Sequence, residues 1–319
     1  MKNSVPTITV VGSYVTDLMC RTPKMPVPGE TVFAGPFKMG PGGKGANQAV
    51  AARRAGADVT LITKLGHDAL GEYALKSIAA EGIKTDYIYF DEKLGTGAAL
   101  IIVDSGGQNM IAVSTEACET LSAQEVHAAA ARIQNSDVLL TQYEGSLAGM
   151  AAAIQLAKTA GVKVILNPAP ARPIDRALLK NVDIITPNES EAEALTGMQI
   201  GDLQAAEEAA KKIQALGPGV VIVTLGKAGA LVYAEQSVTL VPSFEVATVD
   251  TTGAGDAFSG GLATAIAEGK DTITAVRFAV CTAALSVTKV GTAPSMPFRH
   301  EIQAFLTDHE FKSENSVRQ

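Results

Sequence analysis

The sequence predicts an α/β fold built on a parallel sheet, with a small β layer beside it, on three observations. Apolar runs of strand length alternate with segments of helical periodicity over most of the 319 residues. Two stretches, 18–39 and 97–114, interrupt the alternation with β-prone pieces and no helix. Glycine turns stand where strands give way to helices, the place where open α/β sheets bind ligands.

In chain order, residues 7–12 form a mostly apolar run ending in Gly12, as a buried parallel strand does, and 13–17 leave its C-terminal end. Pro23, Pro26, Pro28, Gly29, Gly35, Pro36 and Gly40 then punctuate short β-prone pieces such as 30–34. Helical periodicity over 44–55 stops at Gly56. A strand is expected over 59–63, a helix over 68–80 and a strand over 87–90. Segments 97–104 and 109–114 flank Ser105-Gly106-Gly107-Gln108 and read as a hairpin. With no helix between them they join the earlier β insert, and together the two are expected to form a lid over the site. Helix 122–134, strand 137–141, helix 146–160, strands 163–167 and 183–186, and helices 189–196 and 203–216 follow. Strand 220–224 leads into a β meander over 229–241, and helices 257–268, 272–288 and 299–308 complete the pattern. The expected organisation is an α/β body over 1–17, 40–96 and 115–311, a β lid over 18–39 and 97–114, and a polar, loose tail over 312–319.

Composition narrows the function. Hydrophobic residues make up 47% of the chain, enough for a large core. A net charge of -7 without a basic cluster disfavours nucleic acid as a partner. Apolar runs are of strand length and residues 1–6 are polar, so neither a membrane span nor a secretory signal is expected, and a cytoplasmic location follows. Cys20, Cys118 and Cys281 fit neither a disulfide framework nor a zinc site.

The richest stretch is 249–261, Val-Asp-Thr-Thr-Gly-Ala-Gly-Asp-Ala-Phe-Ser-Gly-Gly. Gly253 and Gly255 open a helix, whose free N–H groups and positive dipole end attract an anion. Asp256, in the first turn, is poorly placed to bind phosphate but well placed to take a proton from a hydroxyl attacking it. The alternative is a capping aspartate after a glycine turn. A second cluster, 40–48, lacks the P-loop pattern because Lys38 and Gly45 occupy required positions, and Phe258 breaks a dinucleotide fingerprint in the first. What remains at 40–48 is either a glycine turn admitting a polyhydroxylated ligand, with Asn47 as donor and acceptor, or a tight turn packed on the sheet. Glu144, at a strand end, suits sugar hydroxyls or simple exposure. Asn188-Glu189-Ser190-Glu191 suits magnesium through water, or a capping box. The loop 224–229 suits a flat nucleotide.

These motifs resemble the ribokinase-like family of carbohydrate kinases over nearly the whole chain. The most specific pieces are Gly42-Gly43-Lys44-Gly45-Ala46-Asn47-Gln48-Ala49, Asn167-Pro168-Ala169-Pro170-Ala171, Thr186-Pro187-Asn188-Glu189-Ser190-Glu191 and Asp250-Thr251-Thr252-Gly253-Ala254-Gly255-Asp256. The resemblance implies a parallel three-layer α/β sandwich with a small β lid, dimerisation through that lid, and transfer of a phosphoryl group from ATP to a sugar. It makes Asp256 the general base and Gly253, Ala254 and Gly255 the anion hole. Asp17, Gly43, Lys44, Asn47 and Glu144 would hold the sugar, with Val15 beside them. Asn188, Thr224, Gly226, Lys227, Gly229, Gly255 and Val280 would line the ATP site. Glu191 would act on Mg2+ through water, and oxygens of Asp250, Thr252, Ser286, Lys289, Gly291 and Ser295 would hold an activating K+, mostly through carbonyls. The helix N-terminus should keep Asp256 charged and hence a weak base in the ground state.

Two departures from the family pattern stand out. Val15 replaces an asparagine that would contact a sugar hydroxyl, so a 2-deoxyribose kinase rivals a ribose kinase. Val280 replaces a histidine near the adenine, where an apolar side chain still packs on a base. A nucleoside kinase and a catalytically silent sugar-binding protein on the same scaffold are the alternative readings.

Overall fold

The computed structural model describes residues 5–173 and 176–316. Strand β1 (Thr7–Val11) lies inside the large sheet with a strand on either side, Ile8 and Val10 in one apolar core and Val11 in the other. A strand covered on both faces is mostly apolar, and the buried hydroxyl of Thr9 is hydrogen-bonded to Ser136. Strands β2 (Val15–Arg21) and β3 (Phe37–Gly42) leave the main layer. Helix α1 (Lys44–Arg54), β4 (Asp58–Gly66), α2 (Ala69–Ala80) and β5 (Ile88–Asp91) return to it. The hairpin β6 (Thr96–Val103) and β7 (Asn109–Glu116) rejoins β2. Then come α3 (Ala123–Ala128), α4 (Ala130–Gln134), β8 (Val138–Gln142), α5 (Leu147–Ala160), β9 (Lys163–Asn167) and the short β10 (Ile184–Ile185). Helices α6 (Glu189–Thr196) and α7 (Leu203–Gln214) precede β11 (Val220–Thr224), β12 (Ala230–Ala234) and β13 (Ser237–Val241). Helices α8 (Ala254–Ala267), α9 (Thr272–Ser286) and α10 (Arg299–Ser316) follow.

The large sheet has the order β13-β12-β11-β10-β9-β8-β1-β4-β5, parallel except where β12 and β13 turn back. Helices α1, α2, α8, α9 and α10 contribute to the core on one face, and α3 to α7 to that on the other. Side-chain caps fix where the helices begin: Asp68 accepts from Gly71 N–H, Ser122 pairs with Glu125 in a capping box, and Asp271 accepts from Thr274 N–H. The small sheet, β3-β2-β6-β7, pairs β2 with β6 in parallel and its other neighbours antiparallel.

Several boundaries differ from expectation. The small sheet takes strands from Val15 and up to Gly42, beyond the 18–39 insert. The β-prone piece 30–34 forms no strand: prolines precede it, no strand lies alongside, and Phe33 is 91% exposed. The helix expected over 122–134 is interrupted at Ala129, whose φ of -92° and ψ of 8° leave the helical region. The last helix continues to Ser316 rather than 308, and the end of the expected tail, 317–319, lies outside the described residues, as do residues 1–4.

Candidate active site

The site forms where β1, β8 and β9 end and where α1 and α8 begin. Close backbone approach brings these ends together. A Cβ on Gly45 would lie 2.6 Å from both the backbone N and O of Ser13, and one on Gly42 would lie 2.1 Å from Asp17 Oδ1. Gly43 has a φ of +86° and Gly253, capping α8, a φ of +78°, both in the left-handed region that suits glycine. Glu144 ties the junction: its Oε2 accepts from Ser13 Oγ and, at 2.7 Å, from Lys44 N–H.

Asp256 sits in the first turn of α8 and is only 6% exposed. Its Oδ2 accepts from Asn47 Nδ2 and its Oδ1 from Gln48 Nε2, each at 3.0 Å. Burial raises its pKa above the ordinary carboxylate value, although Lys44 and the two amides pull the other way. The direction is opposite to the expectation that the helix end makes Asp256 a weak base, and burial is the largest influence on it. Burial, aided by Glu144 and Asp256, likewise pushes Asp17 up to about 6 against a hydrogen bond from Thr292. Burial works against the charge on Lys44, but Asp256, Glu144 and Glu191 outweigh it and raise the ammonium's pKa.

A cavity of about 180 Å³ opens at the start of α8, lined by Lys44, Asn188, Glu191, Thr224, Gly253, Ala254, Gly255 and Asp256. It adjoins a cleft of about 910 Å³ with Phe244, Val246, Ala247, Val280, Ala283 and Val287 as its apolar wall and Gly226, Lys227 and Gly229 at its rim. A side chain on Gly255 would enter open space, so its absence keeps the passage between the two clear. The arrangement suits an apolar ring in the large cleft with its anionic end at the helix N-terminus.

Glu191 performs its capping role in full, exchanging bonds with Asn188 N–H and Nδ2, and it also faces the small cavity. Thr186 Oγ1, buried against the same cavity, has no protein partner. One carboxylate beside neutral oxygens fits a magnesium ion that retains water. Residues 250–252 and 286–295 are adjacent: Asp250 Oδ2 accepts from Gly291 N–H at 3.0 Å, and Asp250 N–H reaches Val287 O. Ser286 and Ser295 hydroxyls bond carbonyls nearby, and Lys289 Nζ turns to Glu301, so backbone carbonyls are the groups that fit a potassium ion there. Among the described residues no cluster of three His, Cys, Asp or Glu side chains has metal-holding geometry.

The sequence-predicted residues therefore fall into three adjoining groups. Val15 and Asp17 share a face of β2, and Thr292 links Asp17 to the loop before α8, since its Oγ1 donates to Asp17 and its Cα lies beside Gly253. Asn188, Thr224, Gly226, Lys227, Gly229, Gly255 and Val280 line the cleft. Asp250, Thr252, Ser286, Lys289, Gly291 and Ser295 form the loop pair. Lys44, expected among the sugar contacts, lines the small cavity beside Asp256 and Glu191 and feels the charges of both. Sequence reasoning assigned no role to Gln142, Asn167, Thr186 or Phe244; for the first three, polar residues ending otherwise apolar strands were the available signal.

Residues 5–299 match the pfkB family of carbohydrate kinases. The chain is 43% identical to a ribokinase of Haemophilus influenzae over 94% of its own length and 98% of that protein. It is 37% identical to a deoxyribokinase of Salmonella typhi, over 95% and 99% of the two chains. The structure of an Arabidopsis thaliana ribokinase complexed with ribose and ATP superposes with a TM-score of 0.88 at 32% identity, covering 95% of this chain and 99% of that one. These likenesses place the chain in the pfkB family of carbohydrate kinases, phosphotransferases with an alcohol as acceptor.

Proposed function

We propose that the protein transfers the γ-phosphoryl group of ATP to the 5-hydroxyl of a pentose, ribose or 2-deoxyribose. The observation that carries this reading is Asp256: a buried carboxylate of raised basicity, held by two amides at the edge of the small cavity with Asp17 and Glu144 nearby. It accepts the hydroxyl proton while Gly253, Ala254 and Gly255 present N–H groups to the transferring phosphoryl oxygens. Lys44 offsets the negative charge in that cavity. Glu191 with Asn188 would hold Mg2+ through water, and the carbonyls of the 250–252 and 286–295 loops would hold K+. The Mg2+ would neutralise phosphate charge as it builds up.

On the sugar side, Asp17, Gly43, Asn47 and Glu144 contact hydroxyls. Val15, buried on β2 two residues before Asp17, supplies an apolar wall at that edge, which favours a sugar lacking a hydroxyl there. Relatives named ribokinase and deoxyribokinase support both pentoses as candidates. Asp256→Asn should lower kcat by about 10²- to 10⁴-fold with ATP binding retained, the usual range for a general base. An unchanged kcat removes Asp256 from the chemistry.

The small sheet acts as a lid and as a dimer interface. Phe37, Leu100 and Met110 are all at least half exposed on one face of it, an apolar patch of the kind that marks protein association. Sedimentation at micromolar concentration should give a dimer, and a monomer would contradict this assignment. No helix among the described residues is long and apolar enough to cross a membrane.

A further inference from the structure

Three buried amides stand behind Asp256, and their donors all run one way. Gln142 and Asn167 end β8 and β9 as direct register partners. Asn167 Nδ2 donates to the Thr186 carbonyl at 3.0 Å; a carbonyl only accepts, so Asn167 Oδ1 must face Gln48. Gln48 Nε2 donates to that oxygen at 3.0 Å and, with its other hydrogen, to Asp256 Oδ1 at 3.0 Å. Gln142 Nε2 completes the set by donating to Gln48 Oε1 at 2.7 Å. Gly12 makes room for it, since a Cβ there would lie 2.0 Å from Gln142 Oε1. Gln48 is fully buried, and reversing its amide would set its oxygen against Asn167 Oδ1 and Asp256 Oδ1; Gln142, whose own Oε1 has no protein partner, supports this orientation without fixing it. Asn47 differs: its Nδ2 bonds Asp256 Oδ2, but its Oδ1 has no protein partner, so its amide is free to reverse.

We propose that Gln48, locked by Asn167 and supported by Gln142, is a positioning residue that keeps Asp256 Oδ1 a permanent hydrogen-bond acceptor, so that the substrate proton is received at Oδ2. The inference rests on Asp256 being the general base. In the step, the sugar O–H bond breaks and its proton goes to Oδ2. The electron pair left on oxygen forms the new O–P bond, and the bond from phosphorus to the leaving nucleoside diphosphate breaks. Asn47 can then turn its Oδ1 to accept from the protonated Oδ2. The charged groups around Asp256 are Lys44 of α1, Asp17 of β2, Glu144 after β8 and Glu191 of α6. None of them hydrogen-bonds the amide set.

The test is the pH dependence of kcat in Gln142→Met and Gln48→Met at saturating pentose and magnesium–ATP, which reports groups in the substrate complex. Each should move the acid limb up by about one pH unit, the shift expected when a carboxylate loses an assured donor. Plateau kcat should fall roughly 10- to 100-fold, as for a slightly misplaced catalytic group. KM for ATP should stay at the wild-type value. The position of a limb does not depend on how much active protein is present, so a poorly folding variant still reports, and Gln48→Met substitutes for Gln142→Met if that one is insoluble. A uniform fall in kcat at every pH, with the limb unmoved, overturns the proposal because that is what loss of packing alone produces. Asp256→Asn separates the two claims. If it keeps wild-type kcat, the base assignment fails; if it is inactive while the limb stays put in the glutamine variants, only the positioning role fails.

Discussion

Asp17 is held in tension between binding and stability. Its pKa of about 6, against an ordinary 3.8, means that the native state binds its proton more tightly than the unfolded chain does. Native stability therefore falls as pH rises through the window between those values, and the full penalty is present at pH 7. Asp17→Asn should stabilise the protein at pH 7 by on the order of 2 kcal/mol and have almost no effect at pH 4, read from thermal unfolding at the two pH values. The same substitution should raise KM for the sugar, and the wild-type KM should rise as pH drops below about 6. A pH-independent stability difference would remove the raised pKa from the account. Val15 bears on which sugar is used: Val15→Asn should shift kcat/KM toward ribose over 2-deoxyribose, by about 10-fold or more if the new amide bonds the 2-hydroxyl. An unchanged ratio would place the discrimination elsewhere.

At the scale of elements, the helices and central strands were legible because each carried its own period and cap. Asp68, Ser122, Asn188 and Asp271 are capping residues at helix starts that the sequence reading located to within a few positions. Segment 30–34 was not legible, since β propensity describes a residue's fit to a pleated surface and that segment has no neighbouring strand. The glycines of 40–48 left two readings open, a ligand turn or a packed turn, and the packed reading holds at Gly45. Gly45 is the packed member: with Ser13 backbone atoms 2.6 Å from its missing Cβ, Gly45→Ala should push α1 off β1. We expect roughly 1–3 kcal/mol of destabilisation, as for other overpacked sites, together with loss of the Glu144 bond to Lys44 N–H and weaker sugar binding. A variant with wild-type unfolding temperature and KM would contradict that role.

For the molecule as a whole, the large sheet presents the ends of β1, β8 and β9 to one side and the small sheet stands beside them, so that the small cavity at the start of α8 adjoins the larger cleft and Asn47 reaches Asp256 at its edge. The family resemblance named candidate members of each group but not their mutual contacts: Asn47 and Gln48 lie more than two hundred positions from Asp256, and no local pattern records that they bond it. The surroundings of Lys44 were hidden for the same reason, because its neighbours Glu191 and Asp256 come from distant segments. Burial, which reverses the expected basicity of Asp256, is likewise a property of the assembled fold. The central claim is that this assembly phosphorylates a pentose at its 5-hydroxyl. Its most direct test is steady-state, ATP-dependent phosphorylation of ribose and 2-deoxyribose beside a panel of hexoses and nucleosides, with the product identified by phosphorus NMR. The account predicts turnover of at least one pentose to its 5-phosphate with kcat/KM well above every hexose and nucleoside; no turnover of either pentose, or preference for a nucleoside, would contradict it.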